Sequence, residues 1–445
     1  MAVAAVAEGR PAAGGGPAPT RHTIALLDHG AACDGRTPDT AAFRSAFAAA
    51  GASIHAGSRL DTAEVRTPGN RTCLTGPFNI TSNYTTLFLE AGSTIKASDD
   101  PALWPRGWPL PTFGPPYLFS SFVGLYSVRG SGISGEGSLD MNGAAWHGGR
   151  LDPKNDYKNL PKFLTVHSSA DVHIQGVSLL NGANWNIHLV YSTRCSVDGV
   201  RIVTPFKGTD GIDIDSSTHI EVTDVFVSNG DDCVAIKSGF DCFGIAMHRP
   251  SSDVLIRNVS CMHGGAIAVG SEMSGGVENV LITDCLLRNL SGPVLSYRWT
   301  QHRGGFIRNI TARNIRIEGK IAGFGNPDTR AVIWVQSNYG CQDLHCISHQ
   351  TNPACPQPEP VVPTEVRGLS FENITGWVPL STPAGELVGW NSTPAGAAGA
   401  IDGVSFKDIA LTAGAWQCDG ATVEGLSAVN VTPPGLQRAC SAKRY

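Results

Sequence analysis

The chain has 445 residues, of which 42% are hydrophobic and only 16% charged, and its formal net charge is −5. That balance excludes a broadly basic surface for nucleic acid or anionic membrane, so an acidic ligand would need a local cluster of cations. No stretch is apolar over the roughly 20 residues that cross a bilayer, and Gly 52 with Pro 28 favours turns and short strands over helices.

Residues 1–20 are rich in Ala, Gly and Pro and read as a flexible tail. Glu8 and Arg10 interrupt Met1–Ala7 before a hydrophobic region of signal-peptide length develops, so no convincing signal peptide is present. Thr40–Ala50 is the one good helical stretch, with Phe43 and Phe47 at i and i+4 and Thr40 as its cap. Its apolar stripe suits a plug for the open end of the strand stack that follows. Pro101–Pro116 is too Pro-rich for regular structure and is predicted to be a long loop.

From Val172 onward one unit recurs: aliphatic, polar, then Asn, Asp or Gly, then aliphatic. Examples are Val172–Val177, His219–Val225, Val254–Val259, Val280–Cys285, Leu369–Ile374 and Val404–Ile409. Each is a strand running into a turn, and spacings of about 23 to 35 residues leave room for three strands per coil. Such a coil cannot bury its apolar face alone; stacking does it. The prediction is an all-β fold, a right-handed parallel β-helix forming a single domain over 21–445 with a capping helix. Residues 338–363, with Cys341, Cys346 and Cys355, read as a disulfide-tied insertion, and Cys418 with Cys440 suits closure of the far end.

Within the stack, Gly208–Asp215, Gly230–Lys237 and Gly264–Ser271 set one strand pattern three times. Stacked coils lie about 4.8 Å apart, which gathers Asp210, Asp231 and Asp232 on one patch. Two carboxylates about 5 Å apart repel by roughly 3 kcal/mol at an effective dielectric near 20, or about two pKa units. One of them then keeps its proton near pH 6, as a general acid must. Adjacent residues of a strand face opposite ways, so Asp231 and Asp232 share a cleft only if the chain bends, which Gly230 permits. Asp213 and Asp215 read as solvated strand residues, with Lys237 poised to pair with one of them or to touch substrate.

Twelve cysteines and nine Asn-x-Ser/Thr triplets suit the secretory pathway. No cysteine or histidine spacing of zinc type occurs.

Gly-Thr-Asp-Gly-Ile-Asp (208–213), Gly-Asp-Asp-Cys-Val-Ala-Ile-Lys-Ser-Gly (230–239), Gly-Ser-Glu-Met-Ser-Gly-Gly-Val (270–277), Arg303-Gly304-Gly305, Trp108–Pro111 and Asn186-Ile187-His188 together resemble the polygalacturonase family of pectin-degrading glycoside hydrolases, in its plant-like branch. The resemblance runs from about Leu26 to Ile317 and more weakly to Ile409. It implies a pectin lyase-like solenoid that hydrolyses α-1,4-galacturonosyl linkages with inversion, without cofactor or metal. The implied protein is a monomer secreted to the cell wall, with pectic polysaccharide as its partner. Carried over, Asp231 matches the general acid, and Asp210 and Asp232 the pair that activates water. The family's catalytic histidine position is Gly265 here, with His263 two residues before it. The substrate clamp aligns with Ser296-Tyr297-Arg298, so its arginine is Ser296 and its lysine Arg298. Arg298, His263 and Lys237 are therefore the expected substrate-binding residues. A rhamnogalacturonan-type hydrolase and a catalytically idle wall-polysaccharide binder remain the alternatives. The family's habit of tying the two coils implies a Cys233–Cys261 disulfide, with Cys242 as the other candidate partner.

Overall fold

The period-two segments form strands that pair in parallel and in register from coil to coil. Ile187, Ile212, Val234, Ile267, Leu295 and Ile333 stand in one file, each opposite the next. All six are fully buried, and each such side chain contributes about 1.5–3 kcal/mol. Among the described residues, coils of three strands build an 11-stranded and a 23-stranded sheet. The fold is a right-handed parallel β-helix, as the alternation predicts.

The computed structural model describes residues 20–441 except 55–60, 116–117, 155–159, 293, 301–302, 322–330, 338, 340–351, 357–362, 390–400 and 419–422. The tail 1–19, Cys341, Cys346 and most of the predicted insertion lie outside the described residues.

The polar corner of the repeat has a backbone cause. Asp224, Asn258, Asp284, Asn314 and Asn373 all adopt positive φ, between 48 and 60°, a region that Asn and Asp enter more readily than other side chains. They also pair between coils: Asn258 Nδ2 donates to Asp224 Oδ1 at 2.5 Å, and Asn314 Nδ2 to Asp284 Oδ1 at 2.9 Å.

At the N-terminal end, helix α1 (Thr40–Ser53) covers the first coil. Phe43 and Phe47 pack on Phe78 at centroid distances of 4.7 and 5.7 Å. Thr40 is not the cap. It is the first helical residue, and its hydroxyl accepts from Gly76 N–H at 2.8 Å. Among the described residues, four disulfides join Cys33–Cys73, Cys233–Cys261, Cys242–Cys355 and Cys418–Cys440. The second and fourth match expectation. Cys242, the alternative partner for Cys233, instead reaches across 113 residues to Cys355.

The Pro-rich segment is a strap laid over the smaller sheet. It leaves the edge near Leu103, which packs beside Gly76, and pairs Trp108–Pro109 with Leu118–Phe119 as a short hairpin. Its tip buries Leu110 and Phe113 against Val190, Tyr191 and Phe240 at the opposite edge. Thr112 shares a 2.5 Å hydrogen bond with the Tyr191 hydroxyl, and its carbonyl accepts from Phe240 N–H at 2.8 Å. Asn352 Nδ2 donates to Phe113 O at 2.6 Å, tying the tip to the Cys355 segment.

Candidate active site

Asp210 and the Asp231–Asp232 pair occupy turns leading into neighbouring strands of the smaller sheet, Ile212–Asp215 and Val234–Lys237. Backbone bonds stack these turns: Asn186 N–H donates to Asp210 O and Gly211 N–H to Asp232 O, both at 2.8 Å. Asn229 binds the acidic turn from beneath, its Nδ2 donating to Asp232 O at 2.7 Å and Thr209 O at 2.8 Å. The bend needs glycine for room. A Cβ on Gly230 would meet Phe206 O at 2.0 Å, and one on Gly264 would meet Asp231 O at 2.0 Å.

Asp210 and Asp232 are buried, while Asp231 is partly exposed. A buried cation stands beside each of these two. Arg298 donates Nη2 to Asp232 Oδ2, and its guanidinium stands 4.7 Å from the centre of the Tyr339 ring. Lys237 Nζ lies 3.5 Å from Asp210, 3.6 Å from Asp213 and 3.2 Å from Glu272. Two expected substrate contacts are thus buried ion-pair partners of carboxylates. His263 is exposed and shares a 3.0 Å hydrogen bond with Ser228.

Asp213 and Asp215 are both fully buried, which corrects their reading as solvated residues. Trp185 and the strap tip pack over this part of the sheet and exclude water from it. Asp215 accepts from His188 at 3.2 Å. Neither oxygen of Asp213 meets a donor within hydrogen-bond distance among the described residues. Burial and the neighbouring Asp210 charge favour the protonated form of a carboxylate so placed.

The electrostatics separate the acids. Burial, then the charges of Asp210 and Asp232, hold the Asp231 carboxyl well above the usual carboxylate range. Burial and the Asp210 charge do the same to Asp213. Burial also raises Asp210, against the pull of Lys237. Burial alone would depress Lys237, but Glu272, Asp210 and Asp213 carry it well above the ordinary lysine value. Burial opposes ionisation of Glu272 too, yet Lys237 and Arg303 bring it down to about 2.

Two members were not singled out from sequence. Glu272 sits inside the Gly-Ser-Glu-Met motif, so a signal existed. Lys162 gave none: its partners lie more than 20 residues away. It is buried, donates to Asn184 Oδ1 at 2.8 Å and stands 3.6 Å from the Trp185 ring centre. Burial depresses it to about 7, despite Asp213 and Asp210 nearby.

Along the same face, on the coils before the carboxylates, lies a cavity of about 780 Å³ between the strap and α1. His188, opposite Asp213 in the strand register, lies at its near end.

Residues 116–345 match the pattern described as glycosyl hydrolases family 28. A probable polygalacturonase of Vitis vinifera is 31% identical over 433 residues, covering 93% of this chain and 79% of that protein. Among solved structures, a hyperthermoactive exopolygalacturonase from Thermotoga maritima superposes with a TM-score of 0.69 at 20% identity, covering 92% of this chain and 91% of that one. A polygalacturonase from Erwinia carotovora gives 0.62 at 18% identity, covering 93% and 99%.

Proposed function

This chain belongs to family 28 of the glycosyl hydrolases, and on that premise we propose that its acidic cluster cleaves pectin by inversion. The activity is that of a pectin-degrading polygalacturonase. Asp231 gives its proton to the glycosidic oxygen as the bond to the anomeric carbon breaks. Water attacks that carbon from the other face and loses a proton to the Asp210–Asp232 pair. Solvent exchange then restores both protonation states.

The observation that carries this reading is the division of charge. Burial and the charges of Asp210 and Asp232 favour the protonated form of Asp231, while Arg298 and Lys237 stand as buried cations beside Asp232 and Asp210. An acid and a base held apart in this way is what single-displacement hydrolysis requires. Arg298 and Lys237 act through their carboxylates, and exposed His263 is left to meet the sugar. The disulfides among the described residues support secretion, because such bonds persist in oxidising compartments.

Digestion of homogalacturonan, followed by proton NMR of the first-formed reducing ends, tests the assignment. The β anomer should appear first. Initial α anomer would refute inversion, and cleavage of rhamnogalacturonan alone would refute the substrate.

A further inference from the structure

Asn79-Ile80-Thr81 is an acceptor triplet for N-linked sugar, and it begins in the strand Phe78–Ile80 at one edge of the smaller sheet. Alternation turns Ile80 inward, where it is fully buried, and Asn79 outward, where it is exposed. Asn79 and Thr81 both line the cavity of about 780 Å³ between the strap and α1. The Asn79 side chain makes no hydrogen bond among the described residues. Opposite it in the register stands Gly124, where a Cβ would meet Asn79 Oδ1 at 2.6 Å. The amide thus lies over a bare backbone position, free to carry a substituent.

The cavity suits such a substituent in size and in chemistry. Its volume falls within the roughly 300–1,000 Å³ of sites that take a drug-sized ligand, and two linked sugars are of that size. Phe47, Pro77 and Leu103 offer apolar surface, while Ser82, Ser120 and Thr165 offer hydroxyl groups. An N-acetylated sugar uses both, with its acetamide methyl and ring faces on one and its hydroxyls on the other. The strap is held at Leu103 and at its tip, yet between those anchors Pro105, Arg106, Trp108 and Pro109 are exposed. Trp108, 82% exposed, presents at the rim an indole face on which a sugar ring can lie. Chain order also permits attachment, because the triplet precedes the whole strap and is synthesised before the strap can cover it.

We propose that Asn79 carries an N-linked glycan whose first sugars occupy this cavity beneath the strap. The donor is an oligosaccharide linked to a lipid diphosphate. Asn79 Nδ2 forms a bond to the anomeric carbon of the first N-acetylhexosamine and gives up one proton. The bond from that carbon to the diphosphate oxygen breaks, and the lipid diphosphate leaves with its electron pair, so nothing is oxidised or reduced. The proposal rests on the secretory reading for access to the donor, and not on the catalytic one.

Attachment and seating are tested separately. The full chain is produced in eukaryotic cells behind a cleavable secretory leader. Peptide masses are then read after enzymatic glycan release in heavy-oxygen water, which marks each asparagine that bore sugar. Most molecules should be marked at Asn79. Thr81→Ala, which destroys the triplet but keeps Asn79, should lose that mark, and Thr81→Ser should keep it. A bare Asn79 in the parent, whatever the other triplets bear, overturns the site. Sugar at Asn79 behind the leader, but at no triplet when the chain is expressed from its own N-terminus, supports the site and refutes the secretory reading instead. Seating is read by trypsin cleavage after Arg106 in the strap. Thr81→Ala and Asn79→Gln should each be cut there on the order of ten-fold faster than the parent, because the strap opens more often without sugar beneath it. Equal rates in parent and variants overturn the seating.

Discussion

The Lys162 ammonium lies 3.6 Å from the centre of the Trp185 ring, buried, with its charge directed at Asp213 and Asp210. The charge of Lys162 lowers the pH at which Asp210, one of the proposed general bases, ionises. Lys162→Met should therefore move the acid limb of the kcat/KM profile upward, by on the order of one pH unit. An unshifted profile would remove Lys162 from the charge balance. Stability has its own sign. The folded chain loses this proton near 7 and the unfolded chain near 10.5. The unfolded state thus binds more protons between those values, and this group's contribution to stability rises with pH across that window. The substitution should flatten that rise.

Arg298 is expected to matter to the fold as well as to the reaction. Its partner Asp232 is 2% exposed, and removing one member of a buried pair costs about 3–5 kcal/mol. Arg298→Ala should lower stability to urea at pH 7 by roughly that amount while losing most activity. Arg298→Lys should recover part of both. Full stability in the alanine variant would show that the pair is water-exposed in solution.

Asp231→Asn keeps the shape of the acid and removes its transferable proton. Turnover should fall by several orders of magnitude with oligogalacturonate affinity nearly unchanged. Near-normal rates in this variant would mean that another group is the acid.

Gly264→Ala tests the close approach behind the acidic turn. The new methyl would meet Asp231 O at 2.0 Å and Asn229 Oδ1 at 2.2 Å, so backbone must shift. We expect a loss of about 1–3 kcal/mol and a fall in kcat larger than any rise in KM. Unaltered kinetics would show that the turn tolerates displacement.

Glu272 supplies a pH test of the Lys237 hub. Its proton is taken up near 4.5 when unfolded but near 2 when folded. Its stabilising contribution is therefore complete above 4.5 and drains away as the pH falls toward 2. Glu272→Gln should destabilise the protein at pH 6, by roughly 2 kcal/mol after allowance for its partial exposure. Denaturation curves of parent and variant should converge at the acid end. A difference independent of pH would assign the effect to packing.

The solenoid and the three carboxylates were legible because both are written locally, in alternation and in a short motif repeated at coil spacing. The allegiance of the cations was not. Lys237 and Arg298 are outward positions on any strand reading, and only the covered face turns them from substrate contacts into buried partners. Over Lys237 that cover includes Trp185, against which the strap packs, itself held by contacts with Tyr191, Phe240 and Asn352 far along the chain; over Arg298 it is Tyr339. Asp213 and Asp215 were misread for the same reason, since alternation distinguishes inward from outward but does not show what lies above. Thr40 was misread by one position, because Asp39 precedes the helix with its carboxylate turned back to Ala32 and Cys33 N–H.

The left-handed corners also dictate a spelling. A corner takes Asn, the next residue must be an inward aliphatic, and the one after it an outward residue that favours strand. Asn258-Val-Ser, Asn309-Ile-Thr, Asn373-Ile-Thr and Asn430-Val-Thr follow that rule. Their Nδ2 atoms, the very atoms a glycan would occupy, already donate to Asp224, Asn279, Asn314 and Asp408 on neighbouring coils. The number of acceptor triplets in this chain therefore counts coils as much as it counts sugars.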